Sequence, residues 1–188
     1  MVKFYDDILP LFTPRPGDQV DAAYHFIYRD GASVIATDGV KLISVPDHLL
    51  EGIYQTFPTF PFCRKLLLDC NNRVTRETIY FQRSNLAEVL EDHNPASIFF
   101  PQIQIWKDVF HYQHLDALRR VADVRGTERI YLRTEDPGAA AVFTVDAIKV
   151  IIMPGIKSDI SDIRVINLIR EGQCHEQAAT DGSATDRA

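Results

Sequence analysis

Two runs near opposite ends of the chain constrain its fold most. They are IATDGVKLISVP at Ile35–Pro46 and AIKVIIMPGI at Ala147–Ile156. Each is a stretch of β-branched and apolar residues joined to a specific punctuation, Thr-Asp-Gly in one and Met-Pro-Gly in the other. Asp-Gly tolerates the positive φ of a tight turn, and proline cannot donate to a ladder, so such runs read as short antiparallel strands with defined ends.

The first third then reads as a short helix over Asp6–Phe12, closed by Pro14 and Pro16, followed by three strands. Tyr24–Tyr28 is the first, Arg29-Asp30-Gly31 a hairpin turn, Ser33–Thr37 the second, and Val40–Val45 the third, stopped at Pro46. The last third has the same outline. His111–Val124 places Leu115, Leu118, Val121 and Ala122 on one face of a helix that Arg125-Gly126 ends. Strands at Ile130–Thr134, Ala140–Val145 and Ile148–Met153 follow, with Asp136-Pro137-Gly138 as a turn and Pro154 as a stop.

The middle is less regular. Phe57–Phe62 is an apolar, proline-broken loop, Leu66–Leu68 a short buried segment, and Ile98–Trp106 a strand region broken at Pro101. Ser84–Asp92 is a helix with Ser84 as its cap and Leu86, Val89 and Leu90 inward. The predicted architecture is one α+β domain over residues 1–156, built from two helix-plus-antiparallel-strand halves, with 51–97 an unassigned insertion. Residues 157–188 read as a polar C-terminal tail, disordered after about 172.

Composition limits the function classes. The 188 residues are 46% apolar and 24% charged, a globular mix, and the formal charge of −6 gives no global attraction to nucleic acid or anionic membrane. Any DNA contact must come from a local basic stripe. No apolar run approaches the roughly 20 residues of a membrane helix. The start lacks signal-peptide character, and Cys63, Cys70 and Cys174 are scattered, so a cytoplasmic protein with reduced thiols is expected. No nucleophile-elbow, phosphate-loop, dinucleotide or His-Glu-x-x-His motif occurs, and neither an enzyme, a cofactor nor a metal is expected.

The run His111–Ile156, HYQHLDALRRVADVRGTERIYLRTEDPGAAAVFTVDAIKVIIMPGI, resembles the closing half of the last domain of the bacterial DNA polymerase sliding clamp, the beta-clamp family. Tyr28–Pro46, YRDGASVIATDGVKLISVP, is similar to that family's middle domain, with Val40 and Lys41 in place of the usual His and Arg. The resemblance covers about half of the chain.

It implies a DNA-clamp-like fold without an active site. It also implies an apolar pocket for short Leu/Phe-containing peptides of replication-type proteins, with Thr37, Gly39, Lys41 and Leu42 on one wall and Met153, Pro154 and Ile156 on the other. Arg119, Arg120 and Arg125 would face double-stranded DNA, and a ring of such single domains would be a homo-oligomer of about six copies by symmetry. Two alternatives accompany this reading. One is a protein-binding adaptor of the same fold that touches no DNA. The other is a small metal-dependent hydrolase using His111, His114 and a carboxylate such as Asp116.

Overall fold

The computed structural model describes residues 4–50, 56–58, 65–69, 79–91, 102–133, 138–157 and 163–170. It is a mixed α/β arrangement in which most strand pairs are antiparallel. The expected first helix is split. Pro10 falls inside it, and the chain forms a short α1 (Phe4–Asp7) and then a 3-10 turn, Leu9–Phe12, whose Leu9 and Phe12 are fully buried.

Strand β1 (Tyr28–Asp30) begins later than the sequence suggested. Residues Ala22–His25 form a 3-10 turn instead, because the Asp21 carboxylate accepts the Ala23 N–H at 2.9 Å and offers the backbone a local alternative to a strand. Strands β1 and β2 (Ser33–Thr37) are joined through Gly31, at φ 59°, with Asp30 opposite Ser33. Strand β3 (Lys41–Pro46) returns antiparallel to β2.

Strand β4 (Phe57–Pro58) lies parallel to β1, so two residues of the expected apolar loop are a strand. Residues 59–64 and 98–101 of the expected middle segments lie outside the described residues. The 65–69 turn is helical; Leu67 is buried there, whereas Leu68 is exposed.

Most of the described part of the expected insertion belongs to the main sheet or the core. Strand β5 (Ile79–Gln82) lies within the main sheet, and α2 (Arg83–Glu91) packs against α3 (Tyr112–Arg125). Phe81, Leu86 and Leu90 are all in the main apolar cluster. Ser84 is not the cap of α2. It is inside the first turn, where its N–H and hydroxyl both donate to the Glu128 carboxylate, at 3.0 and 2.6 Å. Glu128 therefore does the capping from across the fold, and these bonds hold its carboxyl below the usual range.

After β6 (Gln102–Ile105) and β7 (Asp108–His111), α3 starts with His111 as cap, its Nδ1 accepting the Gln113 N–H. It ends at Gly126, whose φ of 63° is the left-handed stop that the sequence indicated. Strands β8 (Arg129–Arg133), β9 (Ala141–Val145) and β10 (Ile148–Ile152) follow as a meander.

The expected polar tail needs correction. Strand β11 (Ile163–Ile166) pairs parallel with β6, and β12 (Ile169–Arg170) pairs antiparallel with β5. The apolar residues of the Ile163–Ile169 run find room at two sheet edges, and residues 171–188 lie outside the described residues.

Among the described residues, nine strands run in the order β12-β5-β8-β9-β10-β3-β2-β1-β4, and β11-β6-β7 form a second sheet. One face of the large sheet meets the helices. There Ile43, Val45, Phe143, Val150 and Ile152 pack with Leu86, Leu118 and Val121, and Phe143 makes edge-on contacts with Phe81 and Phe110. The opposite face carries a smaller cluster of Tyr28, Ile35, Leu42, Val142 and Ile151, with Leu67 and Ala140.

Candidate peptide-docking surface

The two sequence runs singled out at the start become neighbouring strands. β3 and β10 pair antiparallel, with Lys41 opposite Ile152 and Leu42 opposite Ile151. The ladder continues one step further, where the Met153 N–H donates to the Val40 carbonyl at 2.9 Å. Strand side chains alternate between faces and cross-strand partners share one. Ile43, Val150 and Ile152 join the helix-side core, so Leu42, Ile151 and the Val40–Met153 pair belong to the other face. Thr37, opposite Leu42, is on that outer face too.

The turn between β2 and β3 is built by its own side chains. The Thr37 hydroxyl donates to the Lys41 carbonyl at 2.8 Å and accepts the Gly39 N–H at 3.1 Å. One Asp38 carboxylate oxygen accepts the N–H groups of Val40 and Lys41, at 3.0 and 2.8 Å. Gly39 sits at φ 90° beneath the ring of Tyr24, and a Cβ there would lie 3.5 Å from the phenol carbon. Only glycine adopts that backbone without strain.

The expected pocket wall is therefore divided. Thr37, Gly39 and Leu42 lie along the outer face and its turn. Lys41 points to the helix side, ion-paired with Asp38, and lines a separate cleft of about 710 Å³ with His114, Asp116 and Arg120. On the other strand Met153 and Ile156 are 41% and 91% exposed and Pro154 is half-buried. The Ile156 carbonyl accepts from the Gln102 side chain, and the Gly155 N–H donates to Val109, which pins this segment to the second sheet. Val40, 43% exposed, and Tyr24 are parts of this surface that the sequence reading missed. Alternation outward from Met153 points to Val40; only the folded turn identifies Tyr24.

The arginines of α3 are engaged. Arg119 pairs with Asp116 at 2.9 Å and Asp123 at 2.6 Å, and Arg120 pairs with Asp116 at 3.0 Å. Arg125 pairs with Asp146 at 3.3 Å, and Arg83 brings a further guanidinium to Asp123. Arg119, Arg120 and Arg125 are thus each ion-paired locally, with Asp116, Asp123 and Asp146 as partners.

The rings of His111 and His114 lie 5.5 Å apart, but Asp116 is taken by the arginines. Among the described residues no group of three or more His, Cys, Asp or Glu side chains is placed to hold a metal ion, so the hydrolase alternative has no ligand set there. The His114 Nδ1 is buried without a hydrogen-bond partner. Burial, reinforced by the nearby Lys41 and His111 charges and opposed by Asp38, pushes its pKa down to about 4. Among the described residues no helix is long and apolar enough to cross a membrane.

No protein-family model matches the sequence, and no curated protein matches it. Among solved structures, the chain is similar to the DNA polymerase sliding clamp from Pseudomonas aeruginosa, crystallised with a ligand, at a TM-score of 0.48 and 14% identity. The alignment covers 74% of this chain and 60% of that clamp, so the chain spans under two thirds of the clamp's length.

Proposed function

We propose that this chain is a non-catalytic, sliding-clamp-like protein that docks short Leu/Phe-containing peptides of replication-type partners on the outer face of its large sheet. One observation carries the reading. The two runs that resemble the clamp family meet as paired strands, and their shared end leaves Val40, Met153 and Ile156 exposed beside buried Leu42 and Ile151. An apolar strip with a flexible methionine at its open end suits aliphatic and aromatic anchors of varied shape. Thr37, Gly39, Leu42, Met153, Pro154 and Ile156 form the site in this proposal, with Lys41 holding the turn through Asp38.

Of the two forms that this role takes, an oligomer encircling DNA and an adaptor that docks peptides alone, the ion pairing of Arg119, Arg120 and Arg125 favours the adaptor. The test is fluorescence anisotropy with labelled Leu/Phe peptides on the wild type, on Met153→Asp and on Arg119→Glu/Arg120→Glu. Peptide binding lost only in Met153→Asp supports the docking surface, and a wild type that shows no salt-sensitive binding to duplex DNA supports the adaptor over the encircling form. Binding indifferent to Met153→Asp contradicts the docking surface.

A further inference from the structure

The outer-face strip is open at one end and closed at the other. Val40 and Met153 are exposed, whereas Leu42 and Ile151, the next outward-facing pair on the same strands, are each 1% exposed. Part of that cover is Leu67, from the helical turn at 65–69. It is 7% exposed and clusters with Leu42, Ile151, Ile35 and Val142. This turn belongs neither to the sheet nor to the main core, and Leu67 is its one buried residue. Its neighbour Leu68 is 52% exposed. The chain thus lays a leucine of its own on the strip to which a Leu/Phe peptide would bind.

We infer that the 65–69 turn is a displaceable internal occupant of the docking surface, and that a partner peptide binds by exchanging its own apolar anchor for Leu67 over Leu42 and Ile151. This rests on the docking reading above. The described part of the covering turn, 65–69, seats Leu67 with half-buried Leu66 beside it, while the strip beneath belongs to four paired strands. The asymmetry sets which part moves. Exchange removes one leucine and supplies another, so the strip stays dry throughout. The internal copy lowers the apparent affinity of any competing peptide by the fraction of time it is seated. Burial of one leucine sets that factor at roughly ten- to a hundredfold.

The probe is a labelled synthetic peptide with the sequence of residues 64–69, RKLLLD, titrated to millimolar concentration against the wild type, Leu67→Ala and Leu67→Ala/Met153→Asp. The expected result is binding at least tenfold tighter to Leu67→Ala, reversed by adding Met153→Asp. Equal affinity for the wild type and Leu67→Ala, with loss on Met153→Asp, overturns the inference and leaves the docking surface standing. Binding by none of the three, or binding indifferent to Met153→Asp, overturns both. A second measurement does not depend on the variant folding. In the wild type labelled at leucine methyls, saturation with unlabelled peptide moves the Leu67 resonance to the position of an exposed leucine. A Leu67 resonance unmoved at saturation contradicts the exchange.

Discussion

Met153 donates its backbone N–H to the carbonyl of Val40 at 2.9 Å, which ties the Met-Pro-Gly stop of β10 to the Asp-Gly turn before β3. Two short motifs more than a hundred positions apart thereby share one end of one sheet. Their separate local functions, a turn and a stop, combine into a surface that neither makes alone.

The exposure of Met153 makes it a clean probe. Met153→Asp puts a charge at the open end of the strip, where desolvating it costs a peptide at least tenfold in affinity. The substitution removes little packing, so the unfolding free energy from urea titration stays within about 0.5 kcal/mol of the wild type. Anisotropy and urea titration on the same preparations check both halves.

Thr37 holds the turn through two hydrogen bonds of one hydroxyl. Thr37→Val keeps the shape and removes both, leaving the Gly39 N–H without this acceptor, while the Lys41 carbonyl keeps the Asp38 N–H at 3.2 Å. Destabilisation of about 1–2 kcal/mol is expected in urea unfolding, accompanied by weaker peptide binding. Gly39→Ala acts differently, through the φ of 90° and the Tyr24 ring, and is expected to cost about 1–3 kcal/mol.

Charge pairing on α3 predicts that duplex DNA gains little from Arg119 and Arg120 as they stand. Asp116→Asn/Asp123→Asn frees them. The double variant is expected to bind DNA more tightly, its log–log salt slope steeper by about 2, one contact for each freed guanidinium. Titrations across salt concentrations measure that slope directly, and an unchanged slope contradicts the pairing argument.

Burial of His114 gives stability a pH dependence of definite sign. Its folded pKa of about 4 lies below the ordinary 6.5, so the unfolded chain binds more protons between those values. The contribution is therefore complete above about pH 6.5 and is lost as pH falls toward 4. On the order of 2 kcal/mol is expected to disappear between pH 7 and pH 5. In His114→Gln that part of the decline is absent, which urea unfolding at the two pH values detects.

Much of this fold is legible wherever local chemistry and tertiary packing agree. Ser33–Thr37 is a strand because Val34, Ile35 and Thr37 stand between two turns. The helix ending at Gly126 is readable because its apolar spacing and its stop coincide. The signal fails where a local hydrogen bond competes, as Asp21 does at Ala22–His25. It fails again where pairing comes from far along the chain, as for β5, β11 and β12.

For the site, the sequence brings out the two motifs but not their sidedness. A one-residue step separates Lys41 from Leu42, and the sheet's period of two puts them on opposite faces. Arg119 and Arg120 show the limit of reading cations alone, since Asp116 and Asp123 lie three and four positions away on the same helix.

The sequence contains two methionines, Met1 and Met153, so labelling methionine methyls with 13C gives two resonances. Titrating a Leu/Phe-containing peptide into that sample tests the docking surface most directly. A saturable shift of the Met153 methyl is expected. A peptide that binds, by an independent measure, while Met153 stays in place contradicts the docking surface.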